Sequence, residues 1–227
     1  KIGFDNDKYL SMQSEHIRQR INQFDNKLYL EFGGKLFDDY HASRVLPAAP
    51  DSKLRMLMQL SDHAEIVIVI SAGDMENKVR GDLGITYDID VLRLIDASEA
   101  EAFMWEALSS PSIPAEQANK YKDKLEKLGI KVYLHYPIEG YPSNIPLIVS
   151  DEGYGKNQYI ETTRPLVVVT APGPGSGKMA TCLSQLYHEH KRGVHAGYAK
   201  SETSNLEYPA EASGKLAYEA ATADLND

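Results

Sequence analysis

The chain has 227 residues, 42% of them hydrophobic, and a formal net charge of −9. That length carries one large α/β domain or two small ones, and the acidity, with no basic block to offset it, excludes extended binding along a nucleic-acid backbone. A single cysteine, Cys182, excludes an intrachain disulfide framework and predicts a reducing, cytoplasmic setting, and no stretch is apolar over a membrane-spanning length, so no membrane partner is expected.

In chain order, residues 8–24 are polar-rich with apolar positions at Leu10, Ile17, Ile21 and Phe24, which predicts an amphipathic helix. Residues 27–32 read as a strand running into Gly33-Gly34, and residues 53–60 as a second helix. Residues 65–70 form an almost unbroken Val/Ile run, the mark of a strand covered on both faces, and they lead toward Gly73-Asp74. Residues 97–107 carry an Ala/Glu pattern that predicts a surface helix, followed by a Ser/Pro loop over 109–114. A helix is predicted over 115–128 with Gly129 at its C-terminal cap, then strands over 131–134 and 146–149. Residues 166–170 are a further fully covered strand, 179–191 a helix, and 201–214 a polar surface loop. This alternation predicts an α/β fold, a mainly parallel sheet flanked by helices, with 65–70 and 166–170 in its interior. A single domain over 1–227 is expected, with a sub-boundary near 110–114.

The most informative stretch follows the strand at 166–170. Pro172-Gly-Pro-Gly-Ser-Gly-Lys178 joins it to a helix, a P-loop-like strand–glycine loop–helix. Glycines let successive backbone N–H groups turn toward one point, and the new helix adds its positive end. Gly173, Gly175, Ser176, Gly177 and Lys178 are the candidate phosphate-binding residues, the lysine supplying a mobile cation. The motif departs from G-x-x-x-x-G-K-[ST]: Pro172 stands at the first glycine and Met179 at the hydroxyl that would ligate Mg²⁺. Pro174 also removes a backbone donor.

Ligands of open parallel sheets collect beyond the carboxyl ends of the strands. There the strand predicted over 146–149 would deliver Asp151 and Glu152, the candidate catalytic carboxylates, opposite the glycine loop. Their competing role is to cap a turn. The cofactor expectation is Mg²⁺ carried with a phosphate ligand, and no protein-only metal site is expected. His188 and His190 are two apart, about 200° around a helix, so they do not share a zinc ion. Cys182 shares its helix with Ala180, Leu183 and Leu186 and reads as a buried core thiol, and Arg80 and Asp82 of Arg80-Gly-Asp82 read as holding their loop or lining the site near Asp74.

Six blocks carry a family resemblance: Lys1-Ile-Gly-Phe-Asp-Asn-Asp-Lys-Tyr9, Lys27-Leu-Tyr-Leu-Glu-Phe-Gly-Gly-Lys35, Arg80-Gly-Asp-Leu-Gly-Ile-Thr-Tyr-Asp88, Val149-Ser-Asp-Glu-Gly-Tyr-Gly-Lys-Asn157, Ala171-Pro-Gly-Pro-Gly-Ser-Gly-Lys178 and Leu216-Ala-Tyr-Glu-Ala-Ala-Thr-Ala-Asp-Leu225. In this order they resemble uncharacterised protein family 0371, a bacterial family of unknown function. The resemblance implies a cytoplasmic bacterial protein with an α/β N-terminal region and no established reaction. It also implies that the chain is the N-terminal portion of a longer protein. Residues 97–114 and 201–215 depart from the family pattern, being more polar or more helical than what they replace.

Two functional readings follow. The first is a hydrolase or transferase acting on a small-molecule phosphate or nucleotide ligand, the glycine loop and Lys178 binding phosphate and Asp151 or Glu152 holding a metal or activating water. The alternative is a non-catalytic binding or assembly protein whose glycine loop is structural. A sugar-phosphate binder without a metal is a weaker third, and homo-oligomerisation stays open in all three.

Overall fold

The computed structural model describes residues 6–32, 52–71, 86, 89–93, 103–108, 115–172 and 175–201. Its centre is a six-stranded sheet: β1 (Leu28–Phe32), β2 (Ala64–Ser71), β3 (Phe103–Leu108), β4 (Lys131–His135), β5 (Leu166–Thr170) and β6 (Gly197–Ser201). The spatial order is β4-β3-β2-β5-β1-β6, and every neighbouring pair is parallel. Around it lie α1 (Asn6–Gln23), α2 (Ser52–Gln59), α3 (Ala115–Glu126), the single turn α4 (Ile145–Ile148) and α5 (Lys178–Lys191).

The two Val/Ile runs are interior strands, as their composition predicts: β2 lies between β3 and β5, and β5 between β2 and β1. Three expectations are corrected. Residues 103–107 of the predicted surface helix over 97–107, together with Leu108, form β3, paired on its two sides with β2 and β4; residues 97–102 lie outside the described residues. The predicted strand over 146–149 is instead the helical turn α4, with Pro146 in its opening positions, where a missing N–H costs nothing. The five residues of β6 had no predicted element and extend the sheet beyond β1. Of the polar loop predicted over 201–214, Ser201 is the last residue of β6 and the remainder lies outside the described residues, as does the sub-boundary near 110–114.

Strand alternation sorts the core onto two faces. Leu28, Leu30, Phe32, Leu166 and Val168 pack against Leu10, Ile17 and Ile21 of α1, Phe24 just after it and Met56 of α2. Farther along the same face, Ile68, Ile70 and Val132 meet Val91 and Leu125. On the opposite face Tyr29, Val67, Val69, Val167, Val169 and Tyr198 meet Cys182, Leu183 and Leu186 of α5, together with Ile148, Tyr154 and Ile160. Gly129 does close α3: its N–H reaches Glu126 O at 3.0 Å and that of Ile130 reaches Leu125 O at 3.1 Å, while Ile130 and Leu125 pack together in the core.

Strands β2, β3 and β4 step outward in sequence, and β5 then returns to the other side of β2. Strand order therefore reverses between β2 and β5, and a doubly wound sheet leaves its ligand crevice beyond the carboxyl ends at such a reversal.

Candidate functional site

Strand β5 ends at that reversal with Thr170, and α5 begins at Lys178. The connection holds two glycines in left-handed backbone conformation, Gly175 at φ +71° and Gly177, the residue capping α5, at φ +92°. A Cβ built on Gly175 meets nothing within 4 Å, so this position demands a backbone conformation and not space. Thr181 returns both its N–H (2.9 Å) and its hydroxyl (3.0 Å) to Gly177 O, which locks the first turn. Ser176 and Lys178 are buried, 2% and 7% exposed, so Lys178 is a held cation and not the freely mobile one its sequence context predicts. Gly173 lies outside the described residues, as do Gly33-Gly34, Gly73-Asp74 and Arg80-Gly-Asp82.

The structure does not bring the predicted carboxylates to this loop. Asp151 accepts a hydrogen bond from the Tyr187 phenol at 2.7 Å and is paired with Lys191. Tyr187 and Lys191 lie about 13 and 20 Å along the helix axis from Lys178. Glu152 pairs with Lys156 at 2.8 Å, and both carboxylates are exposed. Because α4 replaces the predicted strand, residues 150–156 continue in turns against α5 in place of leaving a sheet edge. The bond from Lys191, then that from Tyr187, holds the Asp151 carboxyl below the usual carboxylate range, and the same contact raises Lys191.

The residues that sequence reasoning passed over are buried polar groups on the α5 face. Glu31, on β1, is 5% exposed and accepts a hydrogen bond from the Tyr198 phenol at 2.6 Å. It stands in register with Val169 on one side and Lys200 on the other. Its sequence signal was a charge inside the apolar run Leu28-Tyr-Leu-Glu-Phe32, just before two glycines. Farther from the loop, Glu189 Oε1 accepts from the phenols of Tyr29 (2.7 Å) and Tyr159 (3.0 Å). Gln185 bonds both backbone groups of Ile160, accepting from the N–H and donating to the carbonyl at 2.9 Å each, and donates to the Tyr29 phenol at 3.1 Å. This network fastens residues 159–162 to α5. Burial, then the Glu189 charge, drives the Tyr29 phenol far above its ordinary value and pushes Tyr159 up to about 12.

His188 and His190 face different surroundings. His190 is exposed, while His188 is half-buried against the Tyr159 and Tyr187 rings. Cys182 is a free, fully buried thiol. Among the described residues no three His, Cys, Asp or Glu side chains are grouped to hold a metal ion, and no helix is long and apolar enough to cross a membrane.

The sheet order and the glycine turn at its reversal define a doubly wound α/β domain. The chain belongs to the UPF0371 family: the model of the domain of unknown function DUF1846, N-terminal, matches residues 2–227. It is 57% identical over 231 residues to the UPF0371 protein of Corynebacterium diphtheriae, covering all of this chain and 46% of that relative. Identities of 54% over 231 residues to the UPF0371 protein of Streptococcus sanguinis and 55% over 232 residues to that of Corynebacterium efficiens also cover all of this chain and 47% of each relative. The chain thus spans about half the length of the curated relatives it matches.

Proposed function

We propose that this domain binds a phosphate-bearing small molecule at the turn between β5 and α5, as the binding part of a hydrolase or transferase. The observation that carries the reading is the pair of left-handed glycines, Gly175 and Gly177, set between an interior strand and the first turn of a 14-residue helix, at the reversal of strand order. Positive φ at alternate positions turns backbone N–H groups to a common side, and the helix end adds partial positive charge. Gly173, Ser176 and Lys178 complete the proposed set. With Asp151 engaged by Tyr187 and Lys191 near the far end of α5 and Glu152 by Lys156, the binding role of the loop is favoured over a hydrolytic site built on those two acids. The buried Cys182 suits a reducing compartment, and we place the protein in the cytoplasm.

The burial of Ser176 and Lys178 favours a second reading, an assembly or binding protein whose glycine turn is structural. Thermal-shift and calorimetric titration with inorganic phosphate, nucleotides and sugar phosphates separates the two, since any ligand of the folded state raises the unfolding midpoint by mass action. The phosphate reading expects a saturable shift that Lys178→Ala removes; a ligand whose affinity is unchanged in Lys178→Ala makes the loop a turn only.

A further inference from the structure

We propose that residues 154–162 form an acid-released latch, which ties the outer edge of β4 to α5 at neutral pH and detaches locally when His188 takes up a proton. The latch is bonded on both sides. Toward β4, the Gln158 N–H donates to Leu134 O at 3.1 Å, and the side-chain oxygens of Gln158 and Asn157 accept from the N–H groups of Leu134 (2.9 Å) and Tyr136 (2.8 Å). His135 adds a further bond, its Nε2–H reaching Gln158 O at 3.0 Å. These groups occupy the side of β4 turned away from β3, where another strand would otherwise pair. Toward α5, Asn157 Nδ2 donates to Ser184 Oγ at 3.0 Å, Gln185 bonds both backbone groups of Ile160 at 2.9 Å, and the Tyr159 phenol reaches Glu189 at 3.0 Å.

His188 stands one turn beyond Ser184 on the same side of α5, amid these contacts. Its ring lies 5.9 Å from the Tyr159 ring and 5.8 Å from that of Tyr187. The backbone of Asn157 and of Tyr154 bonds the imidazole, while Nε2 is buried with no hydrogen-bond partner among the described residues. A neutral ring protonated on Nδ1 suits that position, because Nε2 then carries a lone pair and no N–H. A second proton sets an N–H and a charge at the buried atom, which is costly unless the ring gains access to water. The neighbouring charges do not relieve this cost. His135 on β4 and Lys191 on α5 both oppose a positive ring, and Arg192 lies over the Tyr159 ring at 4.3 Å. Asp151, a carboxylate within reach of the His188 charge, is exposed and paired with Lys191, and Glu189 accepts from the Tyr29 and Tyr159 phenols. The latch is one short segment between α4 and β5, so it can open while the sheet stays paired.

The test is amide hydrogen exchange of the full chain at about pH 7.5 and about pH 5.5, corrected for the intrinsic pH dependence of exchange. On acidification the protection of Tyr136, Gln158 and Ile160 is expected to fall about three- to tenfold more than that of Val167 and Val168 in β5. The opened latch takes up its proton as pH passes about 6.5, the closed one only at lower pH. His188→Gln, which stays polar but cannot be charged, is expected to abolish the difference. Latch amides that lose no more protection than β5 in the wild type overturn the proposal, as does an equal pH response in His188→Gln. Should that variant fail to fold, the His188 ring of the wild type is titrated by NMR beside the same amides. Protection lost in step with its protonation upholds the latch; a ring that protonates while the latch amides stay protected overturns it.

Discussion

The Tyr29 phenol on β1 donates a 2.7 Å hydrogen bond to Glu189 Oε1 on α5, with both side chains buried. The same phenol lies 3.1 Å from Gln185 Nε2 and 3.3 Å from Thr162 Oγ1. One hydroxyl therefore couples the central sheet, the long helix and the segment that leads into β5. Tyr29→Phe keeps the ring and deletes that hub, leaving Gln185 without one acceptor and Glu189 with Tyr159 as its remaining phenol. We expect a loss of about 1–3 kcal/mol in urea unfolding, the cost of leaving buried polar groups unsatisfied. A change below about 0.5 kcal/mol, the usual size for a neutral surface substitution, makes the network a bystander.

At the glycine turn, Gly175→Ala tests conformation alone, because its Cβ enters open space. An L-residue at φ +71° costs about 1–2 kcal/mol, and we expect a destabilisation of that size, with Gly175→Asn costing less. Equal stability of wild type and Gly175→Ala in chemical denaturation would mean that the turn adopts another conformation.

Acidification acts through His188. Burial lowers its pKa below the ordinary histidine value, with the neighbouring His135 and Lys191 acting in the same direction and the backbone of Asn157 and Tyr154 opposing. The unfolded chain therefore takes up the proton first as pH falls through about 6.5. In that window the unfolded state binds more protons, so this contribution to stability decreases as pH falls and is fully present above it. His188→Gln is expected to flatten the decline in urea midpoint between pH 7 and 5. An identical slope in both proteins assigns the acid sensitivity elsewhere.

Asp151→Asn is expected to leave the affinity for pyrophosphate unchanged and to weaken only the contacts with Lys191 and Tyr187. Since the pair is exposed, its effect on the melting temperature is expected to be small and to vanish at high salt. Calorimetry showing a weakened ligand in this variant would return Asp151 to the site.

What the sequence made legible were the elements whose local pattern and tertiary surroundings agree. The Val/Ile runs of β2 and β5 are buried on both faces, so their composition and environment carry the same message. Strand β3 differs. Its Ala/Glu-rich lead-in favours a helix locally, but ladders to β2 and β4 hold residues 103–108 extended, and local propensity does not register pairing with distant strands. Residues 145–148 show the reverse error: a short apolar run reads equally as strand or helix, and Pro146 decides for the helix start.

That one misreading displaced the acids. Asp151 and Glu152 were expected at a strand's carboxyl end only because residues 146–149 were read as extended. Glu31 was visible as a charge within an apolar strand, yet its value depends on which strands become its neighbours. Only the pairing of β1 with β5 and β6 places it beside the loop.

The same insertion of β1 bears on how the molecule is made. Leu28 pairs with Leu166 and with Gly197, so both edges of an early strand stay unmatched until much later parts of the chain have left the ribosome. Such long-range ladders impose a large loop-closure cost before any contact rewards it, which slows folding and exposes a hydrophobic edge meanwhile. The edges of β1 therefore stay unpaired through much of synthesis, and a nascent chain halted between β5 and β6 would present Leu28–Phe32 with one edge still open to pairing with another chain.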